Sequence, residues 1–334
     1  MLTMHDRDIV LECRHLCKTI EGKKILHDVD FQLVRGSFLG LVGPSGSGKS
    51  TLLRAILGTH PACCGEVALH FGNGNGTTQI ITNPNRHIGI VYQRYSLFDW
   101  LTARENVAFG PMLDLTSIPF RIFRPFAWRR MRKAHLKEAG ELLEKLRLDK
   151  QAIDSLPAQL SGGMRQRVAI GQALTNKPLL LLLDEPFGAL DEDTREGMQR
   201  IMLRLYAENI EAIDRGEEPP YTVILVTHEL NEALLICDRV VALSQYWNWH
   251  EQGFDQCPGA TIVYDKTTPV FQLEEERDFS IFASQRDEIR RVGFDPNTIT
   301  RVDQFRQFWT QIQNGQGRRV LSNCNSAPKA DAPA

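Results

Sequence analysis

Long hydrophobic runs are missing from this sequence of 334 residues. The apolar run 179–183 is far shorter than the roughly 18 residues that a membrane-spanning helix needs, and no other stretch comes closer. The N-terminus carries Asp6, Arg7 and Asp8 with no apolar segment behind them, so no secretory signal is visible. The sequence therefore predicts a chain that does not cross a membrane and stays in the cytosol.

An excess of charge of one sign is also missing. Lys and Arg total 39, Asp and Glu total 41, and the formal net charge is -2. This balance excludes a globally basic nucleic-acid-binding protein, although it leaves room for a local basic patch. Apolar residues make up 42% and charged residues 24%, which is close to the average for globular domains and excludes wholesale disorder or long coiled-coil repeats.

No C-x-x-C pair occurs among the seven cysteines, and their number is odd. A disulfide framework usually needs an even set, and a zinc site usually needs closely spaced pairs. We therefore expect reduced thiols, with neither a disulfide framework nor a zinc site.

A glycine-rich loop lies between a predicted strand, 38–42, and a predicted helix with apolar residues at helical spacing over 52–57. The loop fits the pattern G-x-x-x-x-G-K-S in the strand-to-helix context that phosphate-binding loops require. Its amides and the helix dipole would hold a phosphate. Lys49 would neutralise the β- and γ-phosphates, Ser50 would ligate Mg²⁺, and Thr51 would bond a phosphate oxygen. The predicted phosphate-binding residues are Gly43, Pro44, Ser45, Gly46, Ser47, Gly48, Lys49, Ser50 and Thr51.

Two carboxylates, Asp184 and Glu185, directly follow the buried strand predicted over 179–183. Asp184 is placed to hold Mg²⁺, and Glu185 is placed to orient or deprotonate an attacking water. An acidic pair in this setting can also be a simple turn or a helix cap. Its place downstream of a phosphate loop favours the catalytic interpretation.

The segment 160–164, Leu-Ser-Gly-Gly-Met, closely resembles the LSGGQ signature of ABC ATPases. Ser161 and the amides of Gly162 and Gly163 at a helix N-terminus are suited to an anion. In the family this site binds the γ-phosphate held by the opposite subunit, so the resemblance implies a nucleotide-binding role for all three residues.

The resemblance extends over residues 9–245 and includes the remaining motifs of the family in their usual order. Gln93 resembles the Q-loop glutamine, which senses Mg²⁺ and the attacking water. Asp191 resembles the D-loop aspartate, which crosses the dimer interface. His228 resembles the switch histidine, which contacts the γ-phosphate. The resemblance thus implies Glu185, His228 and Gln93 as catalytic residues and Ser50, Gln93 and Asp184 as Mg²⁺ ligands.

The fold implied is α/β, a P-loop NTPase of the ABC type. It has a mainly parallel sheet core, an antiparallel β subdomain and an inserted helical subdomain at about 98–165. We expect the nucleotide-binding domain to cover 1–245, an accessory segment to follow over 246–325, and 326–334 to be disordered. Within these bounds, 281–291 and 302–312 look helical.

The function implied is ATP hydrolysis, with ATP and Mg²⁺, in the subunit of an importer at the cytoplasmic face of the cell membrane. The implied partners are a second nucleotide-binding subunit, transmembrane permease subunits and a solute-binding protein, with no nucleic acid. The segment 95–107 looks like that of nitrate, sulfonate and taurine importer ATPases. The alternatives are a soluble ABC ATPase acting on DNA or ribosomes, and the ATPase subunit of an exporter.

Two positions depart from the family pattern. Ile20 stands where the family often has an aromatic residue against adenine, so we expect an aliphatic contact in place of base stacking. Met164 replaces the signature glutamine, and we expect this to be tolerated because Ser161, Gly162 and Gly163 carry the anion contacts.

Two further features leave more than one interpretation open. Phe98 and Trp100 are either core residues or part of the surface that receives a membrane subunit. The basic, aromatic stretch 121–137 is either a solvated face or a contact for anionic lipid or the membrane subunit.

Overall fold

The computed structural model describes residues 9–72, 77–93, 96–114, 123–269 and 282–302. The chain divides into two compact units, and each is described by itself. The first unit comprises Met1–Pro84 with Leu205–Ala334, and the second comprises Asn85–Arg204. Among the described residues, no helix has both the length and the apolar character needed to cross a membrane, and the six described cysteines are free thiols.

Strands and helices alternate over residues 180–244, the order that is typical of an α/β protein. The strands are β1 Ile9–Ile20, β2 Lys23–Val34, β3 Phe38–Val42, β4 Cys64–His70, β5 Thr78–Ile80, β6 Ile88–Val91, β7 Leu180–Asp184, β8 Val223–Val226, β9 Arg239–Ser244 and β10 Thr261–Thr267. The helices are α1 Lys49–Leu57, α2 Ala103–Asp114, α3 Pro125–Lys145, α4 Lys150–Ile153, α5 Gly162–Leu174, α6 Glu192–Asp214, α7 Leu230–Ile236 and α8 Ala283–Ile289.

The first unit holds two groups of strands. In one group, β1 pairs antiparallel with β2 and β4, and β4 pairs antiparallel with β5. In the other group, β3 runs parallel to β8 and β9, and β9 pairs antiparallel with β10. All five residues of β3 are buried, which is the pattern of a strand covered on both faces. Helix α7 lies so close to β3 that a β-carbon at Gly40 would be 3.0 Å from Cβ of Ala233.

The second unit combines the parallel pair β6 and β7 with a helical cluster. Small and aliphatic side chains of α2, α3 and α5 form the core of this cluster, including Ala103, Val107, Leu143 and Val168. Close approach is possible because Gly171 carries no side chain, and a β-carbon there would be 3.2 Å from Val107.

The predicted fold class is confirmed, with parallel strands, an antiparallel group and a helical segment. Strands β4, β5, β9 and β10 were not predicted from the sequence. Of the two helices predicted near the C-terminus, the first is α8, which continues as a π-helical turn over Arg290–Phe294. The helix predicted over 302–312 lies almost entirely outside the described residues, and the tail 326–334 lies wholly outside them.

Candidate nucleotide site

The loop between β3 and α1 belongs to the first unit and needs glycine at two positions for steric reasons. A β-carbon at Gly43 would be 2.2 Å from the carbonyl oxygen of Leu243, well inside contact distance. Gly48 has a left-handed φ of 92° and directly precedes α1, and a β-carbon there would be 2.9 Å from Leu26. The glycines at these positions therefore let the loop follow its path between β2 and β9.

Two polar side chains inside the loop are suited to a phosphate. The ammonium of Lys49 is buried and donates to the carbonyl oxygens of Gly43 and Pro44, at 2.8 and 3.0 Å. The hydroxyl of Ser47 is also buried, and among the described residues it has no hydrogen-bond partner. The first turn of α1 has no side-chain cap, so its amide donors stay available for an anion. The loop therefore fits a polyphosphate.

Residues that follow β9 also contact the loop and β2, although no sequence motif assigns them a role. The side-chain amide of Gln245 donates to the carbonyl oxygen of Gly46 at 3.3 Å. The amide of Ala260 donates to the carbonyl oxygen of Ile25 at 2.9 Å, and a β-carbon at Gly259 would be 2.9 Å from the backbone of Leu26. Leu26, which contacts the loop at Gly48, is thus covered from behind by the segment that follows β9. No local sequence motif predicts these contacts.

His228 lies in the first unit, between β8 and α7, with its side chain half exposed. The connection is held by Thr227, whose hydroxyl donates to the buried carboxylate of Glu232 at 2.8 Å and accepts from the amide of Glu229 at 3.0 Å. A hollow of about 350 Å³ lies beside the histidine. Its lining residues are His228, Glu229, Leu230, Arg290, Phe294 and Asp295.

The second unit holds the predicted carboxylates. Asp184 is the last residue of β7, and Glu185 follows with a left-handed φ of 48°, a conformation that is rare for residues with a side chain. The side-chain amide of Gln93, beyond the end of β6, donates to Oε2 of Glu185 at 3.2 Å. Backbone strain of this kind is concentrated at functional sites. The structure therefore places two of the three predicted catalytic side chains in contact.

The signature segment begins α5 in the same unit. Ser161 is the N-cap of this helix and accepts a hydrogen bond from the amide of Met164 at 3.2 Å. Met164 packs against the apolar core of the helical cluster, which explains why a methionine is accommodated at this position. Gly162 is half-buried and Gly163 is buried. Ser161 can cap the helix while the segment binds an anion, because its hydroxyl oxygen engages the amide of Met164 and not the amides of Gly162 and Gly163.

Asp191 caps α6 and is linked to the signature through Thr194. Its carboxylate accepts from the amide of Thr194 at 3.0 Å and from the hydroxyl at 2.9 Å. The hydrogen bond from the Thr194 amide, more than that from its hydroxyl, holds the pKa of Asp191 below its ordinary value. A β-carbon at Gly163 would be only 2.0 Å from Cγ2 of Thr194, so these two motifs are in direct contact.

The remaining candidate residues are exposed to different degrees. Ile20, at the end of β1, is 39% exposed, so an apolar side chain is available where an aromatic residue often stands. Trp100 is 74% exposed, whereas the ring of Phe98 lies 4.6 Å from that of Phe109. Of this pair, Phe98 therefore packs inward and Trp100 is a surface residue. Tyr95 lies outside the described residues.

Comparison with known proteins agrees with this geometry. The family model described as ABC transporter matches residues 26–188. The sulfate/thiosulfate import ATP-binding protein CysA of Methylococcus capsulatus is 36% identical over 272 residues, which cover 81% of this chain and 69% of the relative. The protein of that name from Yersinia pseudotuberculosis is 38% identical over 235 residues, or 70% of this chain. The chain spans 58% of the length of that relative.

Solved structures show the same fold. The dimeric structure of MJ0796, a bacterial ABC transporter cassette, has a TM-score of 0.56 and 27% sequence identity, and the match covers 78% of this chain and 100% of the cassette. The dimeric structure of a post-hydrolysis state of MJ0796, bound to ADP and Pi, has a TM-score of 0.54 over the same shares. With the phosphate loop, the paired Gln93 and Glu185 and the signature segment, these matches establish that the chain belongs to the ABC transporter family, among its ATP-binding proteins.

Proposed function

We propose that this chain is the ATP-hydrolysing subunit of an ABC importer. The observation that carries the proposal is the loop from Gly43 to Thr51. Its buried Ser47 hydroxyl has no hydrogen-bond partner among the described residues, and its buried Lys49 ammonium is held by two loop carbonyls. A cation and unused donors gathered at the start of a helix are what the β- and γ-phosphates of ATP require.

Mg²⁺ is the expected cofactor, and the donor set supports it. Ser50, Gln93 and Asp184 offer hydroxyl, amide and carboxylate oxygens, which are the hard ligands that this ion takes. Asp184 is half-buried at the end of its strand, and Ser50 is exposed in the first turn of α1. The bound ion would neutralise charge on the phosphates.

Glu185 is proposed as the base that activates the attacking water. Its hydrogen bond with Gln93 fixes the direction of the carboxylate, which supports this role. His228 is proposed to stabilise the γ-phosphate during hydrolysis, as in the family it resembles.

Two copies of the chain are proposed to pair, so that Ser161, Gly162, Gly163 and Asp191 of one copy serve the nucleotide of the other. Among the described residues, the cap at Ser161 engages the amide of Met164 and not those of Gly162 and Gly163, which supports an anion-binding role for this segment. The matched cassette structures are described as dimeric, which supports pairing.

The importer assignment is supported by the names of the relatives, which are sulfate/thiosulfate import proteins. The 74% exposed Trp100 offers a permease subunit an apolar contact. We propose permease subunits and a solute-binding protein as partners, a location at the cytoplasmic face of the membrane, and a solute of the nitrate, sulfonate or taurine type.

Turnover by a Glu185→Gln variant tests the catalytic proposal. We expect hydrolysis to fall at least 100-fold while ATP affinity is retained, because the amide keeps the shape of the side chain but cannot accept the proton. Glu217→Gln, at an exposed ion pair with Arg215, is the matched control and should hydrolyse ATP normally. Near-normal hydrolysis by the Glu185 variant would refute the role of this residue.

Mixed dimers test the pairing proposal. When a Ser161→Arg chain pairs with a Lys49→Ala chain, one composite site carries both lesions and the other carries neither. Nucleotide occupancy of one site per dimer is expected, although each parent homodimer is impaired. If each substitution instead disables the nucleotide site of the chain that carries it, the proposal that each site is shared between two chains is wrong.

Reconstitution tests the importer proposal. The chain, purified with its permease and placed in vesicles with the solute-binding protein, should hydrolyse ATP faster when the correct solute is added. Taurine, nitrate, sulfate and thiosulfate, assayed in parallel, separate the proposed solute type from that of the relatives. Failure to copurify with any membrane-spanning protein would favour a soluble ATPase instead.

A further inference from the structure

The N-terminal half of α3 presents exposed aromatic and cationic side chains together. Phe123, just before the helix, is 81% exposed, and Phe126 in its first turn is 83% exposed. Arg130, Lys133 and Lys137 follow Phe126 at intervals of four, three and four residues, so these side chains share one face of the helix. All three cations are exposed. This stripe, defined by Phe126, Arg130, Lys133 and Lys137, lies opposite the buried Ala139, and the buried Gly140 follows on the same side as the stripe.

Most cations of α3 lie toward its N-terminus and its acids lie toward its C-terminus, which is the reverse of the order that the helix dipole favours. Seven Lys or Arg and no acid occur over 121–137, whereas the acids of α3 are Glu138, Glu141 and Glu144. Cations near a helix N-terminus oppose the helix dipole, and the N-cap residue, Arg124, makes no side-chain cap. This arrangement does not favour the stability of the helix, so another requirement has to explain it.

Internal ion pairing does not explain it either. Lys137 lies 3.5 Å from Glu141 and Arg132 lies 2.8 Å from Glu105. Among the described residues, neither Arg130 nor Lys133 has an acidic group within ion-pair distance. Lys133 and Lys137 also line an adjacent groove of about 760 Å³, together with three arginines and four acids. A groove of mixed charge is a poor site for a small anion, whereas an extended anionic surface meets the exposed sides of these cations.

We propose that this stripe, with Phe123, docks on the anionic surface of a lipid bilayer. Exposed aromatic rings enter the boundary between headgroups and acyl chains, while Arg and Lys beside them meet the negative headgroups. The long aliphatic stems of these cations allow both contacts at once. Docking in this way needs no nucleotide, so it can be tested separately from the proposed ATPase activity.

Sedimentation of the full chain with lipid vesicles tests the proposal. Vesicles of phosphatidylcholine alone are compared with vesicles in which about a third of the lipid is phosphatidylglycerol. We expect binding to the anionic vesicles to be at least tenfold tighter and to weaken as NaCl is raised. Inorganic phosphate at matched ionic strength should weaken binding no more than NaCl does, because the ligand is a surface and not a free ion.

Paired variants locate the contact. Arg130→Gln with Lys133→Gln should weaken vesicle binding about 25-fold, and Phe126→Ser should weaken it about tenfold. Lys23→Gln with Lys24→Gln removes the same charge from exposed positions of β2 and should leave binding within about twofold. All of these side chains are exposed, and circular dichroism verifies that each variant is folded.

Three outcomes would overturn the proposal. Equal binding to neutral and anionic vesicles would remove the role of charge. Equal losses in the two double variants would show that the stripe is not the contact. Binding only to vesicles that contain a permease would identify a protein surface as the partner of the stripe.

Discussion

The side-chain amide of Gln93 lies 3.2 Å from Oε2 of Glu185, although the two residues are 92 positions apart in the chain. They come together because β6 and β7 are parallel neighbours, and each residue follows the end of its strand. The amide of Gly188 donates to the carbonyl oxygen of Glu185 at 3.3 Å. The hydrogen bond from Gln93 thus orients the carboxylate of Glu185, whose backbone occupies a left-handed conformation.

Replacing Gln93 by Leu should lower the rate of ATP hydrolysis by about tenfold. The leucine occupies a similar volume but cannot donate to Glu185, so the carboxylate loses the hydrogen bond that Gln93 gives it. Steady-state kinetics should show the loss mainly in kcat, with the KM for ATP changed less. A change confined to KM would mean that Gln93 acts in binding and does not position the base.

Replacing Gly163 by Ala should destabilise the second unit by about 1 to 3 kcal/mol, because the added methyl meets Cγ2 of Thr194. Thr194→Ser removes that methyl and keeps the hydroxyl that bonds Asp191. Denaturant unfolding of both single variants and the double variant should show that Thr194→Ser recovers more than half of the loss. If the changes in unfolding free energy of the two single variants simply add in the double variant, the two side chains do not clash and this explanation is wrong.

Asp265→Asn should destabilise the protein by about 3 to 5 kcal/mol, because the buried cation of Arg239 loses the carboxylate that pairs with it. Asp265 accepts hydrogen bonds from Arg239 at 2.6 and 2.7 Å, and both side chains are at most 3% exposed. The double variant Arg239→Met with Asp265→Leu removes both charges and should recover most of that stability. Urea unfolding measures both, and a double variant no better than Asp265→Asn would disprove the pairing effect.

Asp238 should make stability fall as pH rises from about 4 to about 7. Burial raises the pKa of this carboxyl to about 7, although the carboxyl accepts a hydrogen bond from the amide of Phe38 at 3.2 Å. Aspartate in an unfolded chain titrates near 3.9, so between these values the folded state holds a proton that the unfolded state has lost. The stabilisation is complete below about pH 4 and is lost through about pH 7.

The variant Asp238→Asn isolates that dependence, because the amide stays neutral at every pH. The Tm of the variant minus that of the wild type should rise between about pH 4 and about pH 7, and then level off. A difference that stays flat over this range would show that Asp238 has an ordinary pKa in the folded protein.

Motif spacing was sufficient to predict the phosphate loop, Asp184 with Glu185, and the signature segment, because each is encoded within a few consecutive residues. The edge strands could not be predicted in this way. β10 is recognised only through its pairing with β9 and through Arg239, whose partner stands 26 positions later. Contacts between residues far apart in the chain leave no local sequence pattern. The change of composition near residue 245 therefore suggested that the nucleotide-binding domain ends there, although β10 continues the sheet beyond it.

Leu26 has the loop residue Gly48 on one side and the backbone of Gly259 on the other. The family match ends at residue 188, and the motifs end near 245, yet the hydrophobic support of the phosphate loop includes residues beyond both limits. A shortened version designed from the motifs alone would expose Leu26 and the edge of β9 to water. The smallest chain to purify for nucleotide titration therefore extends at least to Thr267, where β10, the last of the described strands, ends.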